Sequence, residues 1–395
     1  MKVLHFGRFY DENFGGLERH VKLLLKGLSR SIGVANLVAS EDCASHVIEV
    51  NGYRVYKVPS LGLMAGTAVC PAMPWWACKL HRQEHYDVAH LHFPDPMSHL
   101  AAMALPRDIK LVISWHSDIV RQQNLLKLYR PFLDRIVARA DAIISATPLH
   151  FSSSTQLGAC QDKRRLRVVP YGIDFTPFEA SDAVKAGAEL RHELGRRFVI
   201  FAIGRHVYYK GFEFLLRAMR GVRHDAVLVL GGTGPLTARL KEITATLGLH
   251  ERVLFTGRIP DEVLPAYYHA ADIFCLPSVD PSEAFGLVQV EAMACRKPVV
   301  CCELGNGVNY VSRHGVTGLA VPPRDPDALA RALDELLDDE RTREKMAEAG
   351  YARAKREFTL ENMWSGTLQV YREITRQQPS DLAVRQAAKT KPPTD

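Results

Sequence analysis

The sequence predicts an α/β protein made of two Rossmann-like, doubly wound domains facing across a cleft. Three observations carry this. Short β-branched runs alternate with helical stretches over the first 176 residues, the same alternation restarts at Phe198, and at 395 residues the chain exceeds one ordinary core. A hydrophobic content of 47% with 24% charged residues is that of a soluble globular protein. No apolar run reaches the ~20 residues that span a bilayer.

The chain opens on Val3-Leu4-His5-Phe6-Gly7, a short apolar strand without the features of a secretory leader. A loop from Arg8 to Gly16 leads into a helix over Leu17–Leu28, where Val21, Leu24, Leu25 and Leu28 share one face. Strand, glycine-bearing loop and helix form the opening of a Rossmann-like unit, and Gly15-Gly16 would let the backbone approach a ligand closely. GxGxxG is absent, so a nicotinamide site has no support. Further strands are expected at Val55–Val58, Asp87–His92, Lys110–Ser114, Asp141–Ser145 and Arg167–Val169. Trp115-His116-Ser117-Asp118 falls at the carboxyl end of one of them, where open α/β sheets bind ligands.

After Pro170-Tyr171-Gly172-Ile173-Asp174 the pattern breaks, and we divide the chain into domains 1–176 and 177–358. The second domain repeats the plan, with strands at Phe198–Gly204, Ala226–Gly232, Val253–Gly257, Asp272–Leu276, Pro298–Cys302 and Gly318–Val321. Two charged amphipathic helices follow over Asp325–Lys355. Residues 359–378 form one more helix, and the polar tail 379–395 is expected to be disordered. Eight cysteines occur without a CxxC pair, and Cys275, Cys295, Cys301 and Cys302, in apolar strand or helix contexts, read as buried thiols of a reducing cytoplasm.

Two stretches carry chemistry. In Ser282-Glu283-Ala284-Phe285-Gly286-Leu287-Val288-Gln289-Val290-Glu291-Ala292-Met293-Ala294, a helix from Gly286 would turn Val288, Val290 and Met293 to a core. Glu283 would then stand in the loop before the helix start, an end that attracts phosphate, with Glu291 about two turns inside. The competing reading is a buried helix with two surface acids. In Gly204-Arg205-His206-Val207-Tyr208-Tyr209-Lys210-Gly211, two cations flank a strand-to-helix turn and suit a diphosphate, Arg205 as a fork and Lys210 as a point charge.

His90 and His92 alternate on a strand and share a face, but no third partner stands at ligand spacing, so no metal site is expected. Arg121 to Arg139 forms a basic amphipathic helix that would suit an anionic membrane surface, although such helices more often pack on a core. The net charge of +6 and a pI near 8.8 choose among no anionic partners by themselves.

The E-x7-E pair of Glu283 and Glu291, with Gly204-Arg205, Lys210-Gly211, Gly231-Gly232-Thr233-Gly234-Pro235 and Gly15-Gly16-Leu17-Glu18-Arg19-His20, resembles the retaining GT-B glycosyltransferases of family 4, in order from residue 1 to about 375. The resemblance implies transfer of a hexose from a nucleotide-diphosphate sugar, with configuration kept and with neither metal nor other cofactor. GDP-mannose is the first expectation and a UDP-sugar the second. It implies that Arg205 and Lys210 bind the diphosphate, that Glu283 holds sugar hydroxyls, and that Phe285, Gly286, Leu287 and Val288 line that pocket. Glu291 would accept from the ribose, Gly257, Arg258 and Ile259 would lie by the base, and Gly15 and Gly16 would close over the diphosphate. His116 would reach the sugar, with Asp118 and His92 as acceptor-side candidates.

Trp115-His116-Ser117-Asp118 resembles members that build lipopolysaccharide and O-antigen with mannosyl or rhamnosyl units. The acceptor implied is a lipid-linked or polysaccharide glycan, with no nucleic acid partner, at the cytoplasmic side and in peripheral contact with the inner face of the membrane. The GT-B plan is also shared by nucleotide-sugar 2-epimerases and by catalytically inactive scaffolds.

Overall fold

The structure, a computed structural model, describes residues 1–10, 16–64, 66–119, 123–160, 162–195 and 197–376. Gly15 and the tail 379–395 lie outside the described residues. The chain divides into two compact units: Met1–Val169 together with the chain from Leu360, and Pro170–Thr359. The first break follows the last strand of the first sheet rather than residue 176. Its local cause is visible in the second unit, where Tyr171 packs on Phe285 (ring centroids 4.9 Å apart) and Ile173 bridges to Thr359.

The first unit begins with β1 (Lys2–Gly7), α1 (Gly16–Leu28), β2 (Gly33–Ala39), β3 (His46–Val50) and β4 (Tyr53–Val58). A two-stranded ribbon follows, β5 (Leu63–Met64) and β6 (Thr67–Ala68). Then come α2 (Met73–Glu84), β7 (Val88–Phe93), α3 (Pro96–Ala104), β8 (Lys110–Trp115), α4 (Gln123–Arg139), β9 (Ala142–Ser145), α5 (Pro148–Ser153) and β10 (Leu166–Val168). The sheet order is β10-β9-β8-β7-β1-β2-β4-β3, parallel except for β3. Sequence reasoning missed β2 and β3. A buried Asn36 interrupts the apolar pattern of β2, and β3 is an edge strand whose side chains mostly face solvent.

One face of this sheet is apolar from end to end and packs on α2, α3 and α4, with Trp115 stacked on Phe93 at 3.8 Å between centroids. The other face changes character along its strands. Val3 gives way to His5 on β1, and Val88 to His90 and then His92 on β7. On β8, Val112 leads to Ser114, and His116 follows beyond the strand. This face is covered by α1 and by the last helix (Leu360–Arg376), where Trp364 Nε1 donates to the Leu23 carbonyl at 2.9 Å. Gly27 is required at that crossing, since a Cβ there would fall 2.0 Å from the Trp364 ring.

The second unit runs α6 (Thr176–Glu179), α7 (Ser181–Glu193), β11 (Phe198–Ile203), α8 (Phe212–Gly221), β12 (Ala226–Gly231), α9 (Thr237–Thr246), β13 (Val253–Gly257), α10 (Leu264–Ala270) and β14 (Ile273–Leu276). It continues with α11 (Leu287–Ala294), β15 (Val299–Cys302), α12 (Gly307–Val311), β16 (Gly318–Val321), α13 (Pro326–Asp338) and α14 (Glu340–Glu357), and the helix over Leu360–Arg376 is α15. Its sheet is parallel throughout, in the order β13-β12-β11-β14-β15-β16. The two charged helices expected after Asp325 are α13 and α14. Asp325 and Asp339 cap them by accepting from the Ala328 and Thr342 amides, at 2.9 and 3.0 Å. Cys275, Cys295, Cys301 and Cys302 are buried thiols.

Burial pulls the His5 imidazole down to about 3, helped by the nearby His20, and pulls His20 itself down to about 4. Both are neutral in the folded unit, whereas the unfolded chain takes up protons at about pH 6.5. Stability is therefore full above pH 6.5 and falls as the pH drops towards 4, by about 1.4 kcal/mol per pH unit for each histidine. All four tryptophans lie in the first unit, so urea unfolding followed by tryptophan fluorescence at pH 7 and pH 5 reads this unit alone. The midpoint is expected to be lower at pH 5. The difference between the two pH values should shrink when His5 and His20 are replaced by neutral residues, with His90, His92, His99 and His116, which burial also holds low, keeping the rest.

Candidate active site

In the second unit the strand order reverses between β11 and β14, and a doubly wound sheet opens its crevice outside the carboxyl ends of such strands. The loop leaving β11 carries Arg205 and Lys210, and the loop leaving β14 carries Ser278 and Glu283. Gly211 brings the two together. It sits at φ +66° before α8, and a Cβ there would stand 2.0 Å from the Pro277 carbonyl. The Val279 amide also donates to the Tyr209 carbonyl, at 2.8 Å.

The result is a nearly water-free ion pair. Lys210 Nζ lies 2.6 Å from Glu283 Oε2, which also accepts from Ser278 Oγ at 3.0 Å. Both residues are buried. Burial is the largest influence on the Lys210 ammonium and pulls it down, but the Glu283 carboxylate beside it prevails and leaves it raised. Both bonds fall on Oε2, so Oε1 is the oxygen left to accept from a ligand. Arg205 is exposed, and its guanidinium pairs with no carboxylate among the described residues.

Gly286 starts α11 in the left-handed region at φ +73°, with no side chain capping the helix. The first amides of α11 therefore supply a second anion-binding feature next to Glu283. Glu291 is buried inside the helix and accepts from the Tyr268 hydroxyl at 2.8 Å. Leu287 and Val288 are half-buried, so the core face expected for Val288 belongs instead to Gln289, whose amide donates to the Phe285 carbonyl at 3.2 Å. Phe285 is a packing residue against Phe358 and Tyr171 more than a lining one. Asn306 donates from Nδ2 to the Glu283 carbonyl at 2.8 Å and fixes that loop.

Gly257 ends β13 at φ +69°, followed by exposed Arg258 and buried Ile259. The Gly231–Pro235 stretch is a packing device: Cβ atoms at Gly232 and Gly234 would meet the Gly204 and His206 carbonyls at 2.0 and 2.6 Å.

In the first unit Gly16 is the exposed first residue of α1. His116 is half-buried, and its Nε2 lies 3.0 Å from His92 Nδ1. His92 is buried and its other nitrogen meets His5 Nδ1 at 3.3 Å, so both of its ring nitrogens are engaged. Asp118 is half-buried and also has partners within this unit. It accepts from Trp115 Nε1 at 2.9 Å, from Ser154 Oγ at 2.6 Å and from the Thr155 amide at 3.0 Å. The third partner that the sequence did not reveal for His90 and His92 is His5, from another strand, and a second triad joins His20, His92 and His116. Each triad has its ligand nitrogens within 4.8 Å of one another. Burial holds His90, His92 and His116 well below the usual imidazole range, with neighbouring imidazoles adding to the effect. Ser278, Tyr268 and His5 carried no motif that marked them.

Two family models match the chain: Glycosyltransferase Family 4 over residues 14–176, and Glycosyl transferases group 1 over residues 189–353. The chain is 35% identical over 362 residues to the D-rhamnosyltransferase WbpZ of Pseudomonas aeruginosa, covering 91% of this chain and 92% of that one. It is 31% identical to the O-antigen chain mannosyltransferase C of Escherichia coli, covering 94% and 98%. Among solved structures, a sucrose-phosphate synthase from Thermosynechococcus elongatus superposes with a TM-score of 0.79 at 23% identity over 94% of this chain and 98% of that one. Anabaena HepE in complex with UDP superposes with a TM-score of 0.75 at 20% identity, over 94% and 100%. The loops that bring Lys210 to Glu283 thus sit in a chain that belongs to the group 1, family 4 glycosyltransferases, with the two Rossmann-like domains of the GT-B fold.

Proposed function

We propose that this enzyme moves a hexose, mannose first, from a nucleotide-diphosphate sugar to a lipid-linked or polysaccharide acceptor, with retention and without a metal ion, in O-antigen or related glycan synthesis. The observation that carries the reading is the buried Lys210–Glu283 pair beside the uncapped start of α11. A buried ion pair adds little net stability over apolar packing, so its place at the strand reversal is better explained by a ligand. The two relatives named for rhamnosyl and O-antigen mannosyl transfer support the sugar class and the acceptor.

In this reading Lys210, Arg205 and the α11 amides take up the charge that develops on the departing diphosphate. Glu283 Oε1 accepts from a hydroxyl of the donor sugar, and Glu291 takes the ribose. The Gly257–Ile259 turn lies by the base. His116 is the first unit's hydrogen-bonding group for a hydroxyl of the reacting sugar. A phosphate oxygen of the leaving group accepts the proton of the attacking hydroxyl, which makes a separate general base unnecessary.

Calorimetry against nucleotide diphosphates should give GDP as the tightest ligand and UDP next, with transfer from the matching sugar donor unaffected by a chelator. Formation of an epimer from donor alone, without acceptor, would overturn the reading in favour of an epimerase. Lys210→Ala is expected to lower kcat at least about 100-fold and to weaken diphosphate binding. Glu283→Gln should lose transfer to a similar degree while still binding the nucleotide diphosphate, checked by calorimetry and steady-state rates. Near-normal transfer by Glu283→Gln rejects the sugar assignment.

Among the described residues no helix is long and apolar enough to cross a membrane. On α4, however, Leu125, Leu128 and Phe132 are exposed beside exposed Lys127 and Arg135. Leu61, Leu63 and Met64, around the β5–β6 ribbon, are also exposed. We assign this surface to peripheral contact with anionic lipid. Vesicles containing phosphatidylglycerol should sediment the protein, and Leu128→Glu should reduce the bound fraction several-fold without changing transfer to a soluble acceptor analogue.

A further inference from the structure

Glu291 stands in the second turn of α11, and Tyr268 reaches it from α10. The Tyr268 hydroxyl donates to Glu291 Oε2 at 2.8 Å. Helix α10 belongs to the segment that leaves β13 through the Gly257–Ile259 turn, so one connection carries both that turn and the tyrosine.

Three aromatic rings hold Tyr268, whose side chain is fully buried. Phe201 of β11 meets its ring edge-on at 5.0 Å between centroids, Phe274 of β14 lies at 5.5 Å, and Phe178 of α6 lies at 6.0 Å. A tyrosine ring turns about two side-chain bonds, and with both held by packing the hydroxyl has a fixed place.

Glu291 needs such an anchor. The last torsion of a glutamate side chain is broad and roughly two-fold, so the helix alone does not aim its oxygens. A donor at a fixed point on Oε2 sets the plane of the carboxylate and the direction in which Oε1 accepts. Burial pulls the Lys210 ammonium down, but Glu283 and, less strongly, Glu291 raise it, so Glu291 lies within electrostatic reach of that lysine. Glu291 is itself buried, where a carboxylate is costly. A neutral acceptor would satisfy the tyrosine hydroxyl at less cost. A charged one suits a ligand that brings further hydroxyls.

We propose that Tyr268 is a positioning residue that holds the Glu291 carboxylate to accept from a ribose hydroxyl of the donor, and so makes the site prefer ribonucleotide diphosphates to their deoxy counterparts. The inference rests on the reading that Glu291 takes the ribose. A nucleotide that lacks the contacted hydroxyl leaves a buried carboxylate short of a donor, which is the kind of mismatch that discriminates strongly.

The test is calorimetry on the full chain with GDP and UDP, each against its 2′-deoxy and 3′-deoxy counterparts, scored for whichever base binds more tightly. The wild-type protein should bind the ribonucleotide about 10-fold more tightly than at least one deoxy form. Tyr268→Phe keeps the ring and its packing and removes one oxygen. It should weaken the ribonucleotide about fivefold and that deoxy form hardly at all, so that the preference shrinks to about twofold. The ratio is taken within one preparation, so a loss of folded protein cannot mimic the effect. A preference undiminished in Tyr268→Phe but lost in Glu291→Gln overturns the positioning role alone. One that survives Glu291→Gln, or is absent from the wild-type protein, overturns the ribose assignment and the proposal with it.

Discussion

A lysine ammonium and a glutamate carboxylate share a space almost closed to water, and much of the second unit is arranged to make that tolerable. The parallel strands place their loops on one edge of the sheet, and the reversal between β11 and β14 leaves room where the two loops meet. Gly211 allows a backbone approach that any side chain would block, while Ser278 and Asn306 fix the carboxylate and its loop. Removing either charge would strand the other in a low-dielectric setting, which is far more costly than never having buried the pair.

The first unit solves a different problem with the same edge. Its histidine-bearing strands are apolar where they begin and imidazole-bearing towards their carboxyl ends, so a continuous polar seam runs beneath two covering helices. Neutral imidazoles suit such a seam because each both donates and accepts, and burial keeps them neutral. A carboxylate or ammonium in the same place would need a counter-charge.

What was legible in the sequence depended on range. The alternation of strands and helices is a local signal and gave both sheets, apart from β2 with its buried Asn36 and the solvent-facing β3. Arg205, Lys210, Glu283 and Glu291 were legible because each sits in a strand-end or helix-start motif. Their pairing was not, because residues far apart in sequence meet only through the sheet order. The partners of His92 and Asp118 were hidden for the same reason: His5 and Ser154 among them arrive from elsewhere in the chain.

The first unit is discontinuous: its sheet is complete by β10, yet the helix that closes one face begins only at Leu360. During synthesis, that face and its histidines must wait for the whole of the second unit to leave the ribosome before Tyr371 and Trp364 can cover them. The second unit, being continuous, can fold in the interval. A nascent chain of this enzyme therefore passes through a stage with one finished half and one uncovered half, and its last helix acts as the closing step of assembly.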